Sequence, residues 1–331
     1  MRWLVALLLL ASGVCHGSPL FEDDGILEVT LEGPVSKAIN DTVKRREYPF
    51  SLTVDEAVLN VGVQVRGISR AQLCQFPPLR LDFSSSDTSE TIFSGQRRLK
   101  LVTHCKKPTD YEENALEEYV AYRIFNVLSD VSFRVRLLRV RYIDTDKPGR
   151  DALLRFAFVI EAKKELAERQ KGALIETRRV TKNFLDETQV GLAYVFQYLI
   201  GNTDWALVRA LDSDICCHNG VLVGIDDRHF YVPYDFDRAG LVNARYAKPD
   251  PSLRIRRVTQ RRYRGYCMSS DALQDALRTV VSRQDEILEI INALADVTGQ
   301  NLARSADYVQ SFFEVASDEE RLLREFESHC L

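Results

Sequence analysis

The hydrophobic pattern of this chain changes period near its middle, and that change limits the architectures open to it. Within residues 57–160 apolar and polar side chains alternate. Val61-Gly-Val-Gln-Val-Arg66 and Leu79-Arg-Leu-Asp-Phe83 put every second side chain on one face, and Leu99-Lys-Leu-Val-Thr103 follows a Gly-containing turn. A period of two belongs to strands, so paired antiparallel strands are predicted here. One helix interrupts them over residues 111–128, where Leu116, Val120, Ile124 and Val127 recur at three- and four-residue steps. Two more strands, 134–143 and 154–160, flank the turn-rich Asp144-Thr-Asp-Lys-Pro-Gly149. After Glu161 the period becomes helical, over 188–200, 271–297 and 301–327. Strands with one helix, then helices, predict an α+β chain. Its parts are a segment at 18–56, a sheet-bearing lobe at 57–161 and a largely helical lobe at 162–331, with a loop-rich stretch at 201–267.

At 331 residues, 45% of them hydrophobic and 28% charged, the chain can bury a large core. That excludes a disordered tail or a small disulfide-stapled peptide. The 44 Lys and Arg nearly balance 48 Asp and Glu, for a net charge of -4, so no surface-wide nucleic-acid interface is expected and any basic site is local. The long apolar run, residues 3–11, falls well short of the ~20 residues that span a bilayer, so no transmembrane span is predicted. With Arg2 before it and Ala11, Ser12, Gly13 and Gly17 after it, the run has the order of an export signal cut after Gly17. The expected destination is the periplasm, the medium or a secretory lumen. Lipid anchoring through Cys15 is disfavoured, because Val14 stands where such signals carry Gly or Ala.

Beyond that cut lie Cys74, Cys105, Cys216, Cys217, Cys267 and Cys330. An even number of cysteines in an exported chain predicts disulfides. The absence of C-x-x-C spacing argues against a zinc ribbon. Adjacent cysteines such as Cys216 and Cys217 rarely bond to each other. Cys74–Cys105 and Cys217–Cys267 are the expected pairs, with free buried thiols the alternative if the chain is not exported.

The polar chemistry concentrates in Gly201-Asn-Thr-Asp-Trp205, Cys217-His-Asn-Gly220 and Tyr231-Val-Pro-Tyr-Asp-Phe-Asp-Arg-Ala-Gly240. An acid at a helix exit, an Asn on a following loop and a second acid after an apolar strand are the groups that phosphoryl transfer needs. The first acts on the hydroxyl; the Asn and the later acid supply hard oxygens to a divalent metal on the nucleotide phosphates. The same spacing also suits solvated Asp turns. No H-x-x-x-H, H-x-E or G-x-S-x-G pattern accompanies it, which leaves zinc and serine hydrolases without support.

These segments, with Val65-Arg-Gly-Ile-Ser-Arg70, Phe76-Pro-Pro-Leu-Arg-Leu-Asp-Phe83 and Leu99-Lys-Leu-Val-Thr-His-Cys105, resemble the CotH-like proteins, secreted atypical kinases. The resemblance runs over about residues 61–267. It implies a bilobal protein-kinase-like fold, ATP with Mg²⁺ or Mn²⁺, and γ-phosphoryl transfer to a protein or another exported hydroxyl-bearing acceptor. It carries Asp204 over as the catalytic acid/base, Asn219 as a metal ligand and Asp235 as the metal acid, with Asp237 close by. The chain departs from the pattern in three places. Fourteen residues separate Asp204 from Asn219, Asp237 stands where a glycine is expected, and no Gly-rich phosphate loop is readable.

In such a site the first lobe supplies a cation to the phosphates and an acid to orient it. Lys100, on an apolar strand before the helix, is the leading candidate, with Arg80 close behind. Glu118 is the expected helix partner in preference to Glu117, and Glu161 is placed near the adenine. Lys100 is equally compatible with an outward position on an alternating strand. Six arginines within 254–264 (Arg254, Arg256, Arg257, Arg261, Arg262 and Arg264) predict a docking patch for an acidic acceptor, or else a solvated strand paired with Asp226 and Asp227. His218, beside Asn219, is read as structural. Two alternatives stand beside the kinase reading: a non-catalytic binding or assembly protein, and a nucleotide-sugar transferase using Asp235 and Asp237.

Overall fold

The structure, a computed structural model of the chain, describes residues 18–106, 109–207 and 215–331. The expected export signal and Cys15 lie outside these residues. The first half runs β1 (Leu27–Gly33), α1 (Val35–Asn40), β2 (Tyr48–Val54), β3 (Ala57–Val65), α2 (Ser69–Leu73), β4 (Leu79–Asp82), β5 (Arg98–Val102), α3 (Thr109–Leu128), β6 (Val135–Asp144) and β7 (Leu153–Ile160). The alternation predicted for β3, β4, β5, β6 and β7 is present, and Leu59, Val61, Val63, Val65, Leu81 and Leu99 point to one interior.

Those strands do not form an open sheet. They close into a seven-stranded barrel in the order β1-β2-β3-β4-β5-β7-β6, with β1 and β6 parallel and the other pairs antiparallel. With nine α-helices among the described residues, this is a mixed barrel and its helices. It corrects the expectation of a bilobal protein-kinase-like fold with an antiparallel-sheet lobe. The physical reason lies in residues 18–56. Val29 and Leu31 of β1, with Phe50, Leu52 and Val54 of β2, alternate inward and supply the two strands that bring the sheet's edges together. At Gly33 a Cβ would fall 2.5 Å from the Phe50 ring, so the end of β1 needs a residue without a side chain.

The outer face of the barrel is also apolar where α3 lies. Val102, Val135, Leu137, Phe158 and Ile160 pack there against Leu116, Val120, Ile124 and Leu128. The remaining elements are α4 (Lys163–Arg169), β8 (Ala173–Leu174), α5 (Glu187–Leu199), β9 (Gly220–Ile225), β10 (Arg228–Pro233), α6 (Ser270–Ser282), α7 (Gln284–Thr298), α8 (Ala303–Ala316) and α9 (Glu319–His329). The two long helical periods of the sequence are therefore each broken once, at Arg283 and near Ser317. Helix α5 is buried along nearly its whole length. It joins the outer barrel core to the second half through contacts such as Phe125–Phe196 and Phe196–Phe236. Strands β8, β9 and β10 form a separate three-stranded sheet whose β9–β10 hairpin leads into Tyr234 to Asp237.

The cysteines pair as Cys74–Cys105, Cys216–Cys217 and Cys267–Cys330. The first pair was expected; Cys217–Cys267 is not formed, and the adjacent Cys216 and Cys217 bond to each other, contrary to expectation. Cys267 lies beside the chain terminus, where its N–H donates to the Leu331 carbonyl and the Leu331 N–H to that of Gly265, and this brings Cys330 to it. No helix among the described residues is long and apolar enough to cross a membrane. Three cysteine pairs at bonding distance suit an oxidising compartment.

Candidate functional site

The polar residues singled out by sequence meet where the end of α5, the start of β9, the exit of β10 and the outer face of β5 converge. Helix α5 stops at Ile200, and Gly201, at φ 63°, turns the chain in a region that favours glycine. A Cβ there would collide with the Tyr308 hydroxyl. The turn presents Asp204, whose N–H donates to the Asn202 side chain at 2.9 Å. The fourteen-residue gap to Asn219 is closed by paired backbone hydrogen bonds between Ala206 and His218, 3.2 and 3.1 Å long. As a result the Asn219 amide nitrogen donates to the Asp204 backbone carbonyl at 2.6 Å and reaches its carboxylate at 3.3 Å. His218 Nε2 lies 3.0 Å from Asp204 Oδ1, and Arg238 lies 3.7 Å from Oδ2. Burial pushes the Asp204 carboxyl up, but the His218 hydrogen bond and the charges of His218, Arg238 and Arg264 outweigh it and hold it below the usual range. His218 is correspondingly raised, first by its bond to Asp204.

Asp235 follows β10 with φ 65° and donates its N–H to the Tyr122 hydroxyl of α3 at 3.0 Å. Its side chain is 43% exposed and accepts from Arg70 at 3.1 Å. Asp237 is buried; Oδ2 accepts from the Tyr246 hydroxyl at 3.0 Å and lies 3.3 Å from Arg70 Nε. Glu118 is held by Arg70 through bonds of 2.9 and 3.4 Å. Burial pushes the Glu118 and Asp237 carboxyls up, against the pull of Arg70. Arg70 thus takes the helix glutamate that sequence reasoning gave to Lys100, and it ties that glutamate to both acids after β10. Sequence reasoning missed it, although it closes the Val65 to Arg70 segment on which the family resemblance drew.

Lys100 points to the outer face of the barrel. Its ammonium lies 5.1 Å from the centre of the Tyr234 ring, and Lys163 approaches the same ring at 4.7 Å. Burial, then repulsion from Arg66 and Lys163, pulls the Lys100 pKa down to about 8. Arg80 stands directly across from Lys100 in the strand register. The Nε atoms of Arg66 and Arg80 are buried without a hydrogen-bond partner. Among the described residues none of Arg66, Arg80, Lys100 and Lys163 has an ion-pair partner. Asp235 acts on Arg66 and Lys100 through its charge, and Glu118 on Arg66, but no carboxylate among the described residues pairs directly with any of the four, so the cluster keeps an excess of positive charge that an anion would relieve.

The other candidates lie elsewhere or are engaged. Glu161 accepts from Arg169 at 2.8 and 2.9 Å and from the Arg134 N–H, so both its oxygens are committed. The arginine stretch divides. Arg254, Arg256 and Arg257 are exposed. Arg261 is a brace, bonding the Leu199 carbonyl and Ser311 and lying 4.0 Å over the Tyr308 ring. Arg264 bonds the Thr203 carbonyl beside Asp204, and Arg262 has a buried Nε without a partner.

Among the described residues no three His, Cys, Asp or Glu side chains are gathered as a metal cage. The donor chemistry nevertheless suits a hard ion that keeps most of its water. Asp235 is half-exposed with only Oδ1 bonded to Arg70, and Asn219, with its nitrogen committed to Asp204, has its amide oxygen left to accept. Asp237 takes both Arg70 and Tyr246 on Oδ2 and differs from Asp235 in burial, its side chain being 8% exposed against 43%. Comparison with protein-family models and with curated proteins finds no match to this chain.

Proposed function

We propose that this chain is an exported phosphotransferase, CotH-like in its motifs, that uses ATP and a divalent metal to phosphorylate a hydroxyl on a protein or other exported acceptor. The reading rests on the site and not on the barrel. The observation that carries it is the set of cations without ion-pair partners among the described residues, Arg66, Arg80, Lys100 and Lys163, of which Arg66 and Lys100 lie within the electrostatic reach of Asp235. Those cations suit the charge of a triphosphate. Asn219 and Asp235 would hold Mg²⁺ or Mn²⁺, which would neutralise charge developing between the phosphates. Asp204, kept ionised by His218, accepts the proton of the acceptor hydroxyl. The new O–P bond then forms as the bond from the terminal phosphorus to the ADP oxygen breaks. Arg254, Arg256 and Arg257 offer an exposed surface to an acidic acceptor.

A second reading, a nucleotide-binding or assembly protein without turnover, is favoured by one feature. Both Asp204 carboxylate oxygens are already engaged, Oδ1 by His218 and Oδ2 by Asn219. Titrating ATP into the oxidised chain with and without Mg²⁺ or Mn²⁺ tests the shared part. Metal-dependent binding is expected, with a loss of at least about tenfold in Asp235→Ala, the scale of one charge-assisted contact. Absence of binding with either metal refutes both readings. Transfer that persists in Asp204→Asn refutes the assigned base, and binding with no transfer to any acceptor leaves the second reading.

A further inference from the structure

One mouth of the barrel holds a cavity of about 490 Å³, remote in the fold from Asp204 and Asp235. It opens where β1, β6 and β7 meet the segments that follow β5 and precede β4, and α1 lies across it. Barrel mouths of this size are common small-molecule sites. The walls are of two kinds. Val35 and Ile39 of α1 supply an aliphatic side. Phe76 supplies an aromatic one, its ring centre 4.6 Å from His104 and 4.8 Å from Tyr142.

Two polar groups in this wall are left over. His104 and Tyr142 are each 2% exposed, and neither His104 Nδ1 nor the Tyr142 hydroxyl has a hydrogen-bond partner. An unpaired buried polar atom is destabilising, and two in one cavity wall mark a place where a partner is missing. Burial, with the nearby charge of Arg155, pulls the His104 pKa down to about 4, so at neutral pH the ring is uncharged and suits a hydroxyl better than a carboxylate. The charged groups lining the same cavity are Lys106, Arg150 and Arg155 against Asp144 and Asp151; Asp144 is engaged by Ser36, and Arg155 stands 3.8 Å from Glu112.

We propose that the barrel mouth is a binding site for a small aromatic carboxylic acid with a ring hydroxyl. The ring lies against Phe76 between the aliphatic walls, the hydroxyl reaches Tyr142 and His104, and the carboxylate meets Lys106 and Arg155. This site is independent of the phosphotransferase reading.

Isothermal titration of the oxidised chain with para-hydroxybenzoate, benzoate and para-hydroxybenzyl alcohol tests the assignment. The hydroxy acid is expected to bind more tightly than either of the others by roughly fivefold or more, the scale of one hydrogen bond or one half-exposed ion pair. Tyr142→Phe, which keeps the ring, is expected to remove the advantage over benzoate, and Lys106→Met the advantage over the alcohol. Lys100→Met, on the outer face of the barrel, is expected to leave all three affinities unchanged. The proposal is overturned if none of the three binds at millimolar concentration, as it would be if water alone serves the two polar groups. It is equally overturned if the hydroxy acid shows no preference, or if Lys100→Met weakens it as much as Lys106→Met does.

Discussion

Arg70→Met removes a cation that touches three carboxylates at once, and the cost follows from how buried each of them is. Asp235, 43% exposed, is resolvated by water, so its loss counts for about 0–1 kcal/mol. Glu118 and Asp237, with side chains 1% and 8% exposed, have no such escape. A buried carboxylate stripped of its partner typically costs about 3–5 kcal/mol. The cost has a ceiling, because the group can take up a proton instead. At pH 7.5, about three units above the ordinary 4.5 of a glutamate, protonating Glu118 costs about 4 kcal/mol at 1.36 per unit. Because its pKa already stands at about 7 beside Arg70, about 3 of these are borne before the substitution; the larger share of the loss therefore falls on Asp237, whose ceiling at this pH is about 5 kcal/mol. At pH 5 protonating Glu118 costs under about 1 kcal/mol, and protonating Asp237, ordinarily at 3.8, under about 2. A carboxyl raised in the folded state favours folding at low pH, and that advantage is lost as pH rises above its unfolded value. Urea unfolding followed by Trp205 fluorescence, with disulfides kept oxidised, is therefore expected to show a loss of about 3–5 kcal/mol at pH 7.5 that shrinks to about 2 at pH 5. A loss below about 1 kcal/mol at pH 7.5, or one equal at both pH values, would refute the reasoning.

Two further outcomes follow from the same geometry. Lys100, with its pKa near 8, is expected to react with amine-directed acylating reagents at pH 8 several times faster than exposed lysines, and ATP with Mg²⁺ is expected to protect it; peptide mapping reads both. Glu117, which accepts from Ser305 and Asn114 and pairs with Arg304, has a pKa pushed up to about 7, chiefly by burial. Folded above unfolded means stability falls as pH rises from about 4.5 through about 7. Glu117→Gln is expected to flatten that fall by up to about 3 kcal/mol between pH 5 and 8, and parallel stability profiles for variant and parent would contradict it.

What the sequence disclosed and what it hid divide along physical lines. Alternation made β3, β4 and β5 readable because each buries one face, and motif order singled out Asp204, Asn219 and Asp235, which stand at or just beyond element ends. Barrel closure was not readable. It depends on β1 meeting β6, a pairing between distant segments that leaves no local signature, and the alternation of Leu27 to Leu31 and of Phe50 to Val54 did not announce its partner. Arg70 was hidden because an arginine in a Gly- and Ser-containing turn reads as solvated, whereas here α2 carries it inward to Glu118. For α3, the helical stripe predicted Leu116, Val120 and Ile124 in the core. It gave no warning that Glu112, Glu117 and Glu118 are buried as well, each against a different partner. The partner of Cys267 depended on where the chain terminus comes to lie, which no spacing rule encodes.

The parallel seam between β1 and β6 bears on how the chain reaches its fold. Strands β1 to β5 form by successive neighbours, but β1 keeps an open edge until β6 has been made and can reach back to it. During that interval the edge is a template for pairing with other chains. It carries charge outward, at Glu28 and Glu32, and the arriving strand carries Arg139 and Arg141. Glu28 ends directly across from Arg139, with the two groups 3.5 Å apart. Glu28→Val should therefore leave the barrel's interior intact, yet raise light scattering during dilution from urea. The charges that keep the waiting edge from other molecules also select the register in which it is finally covered.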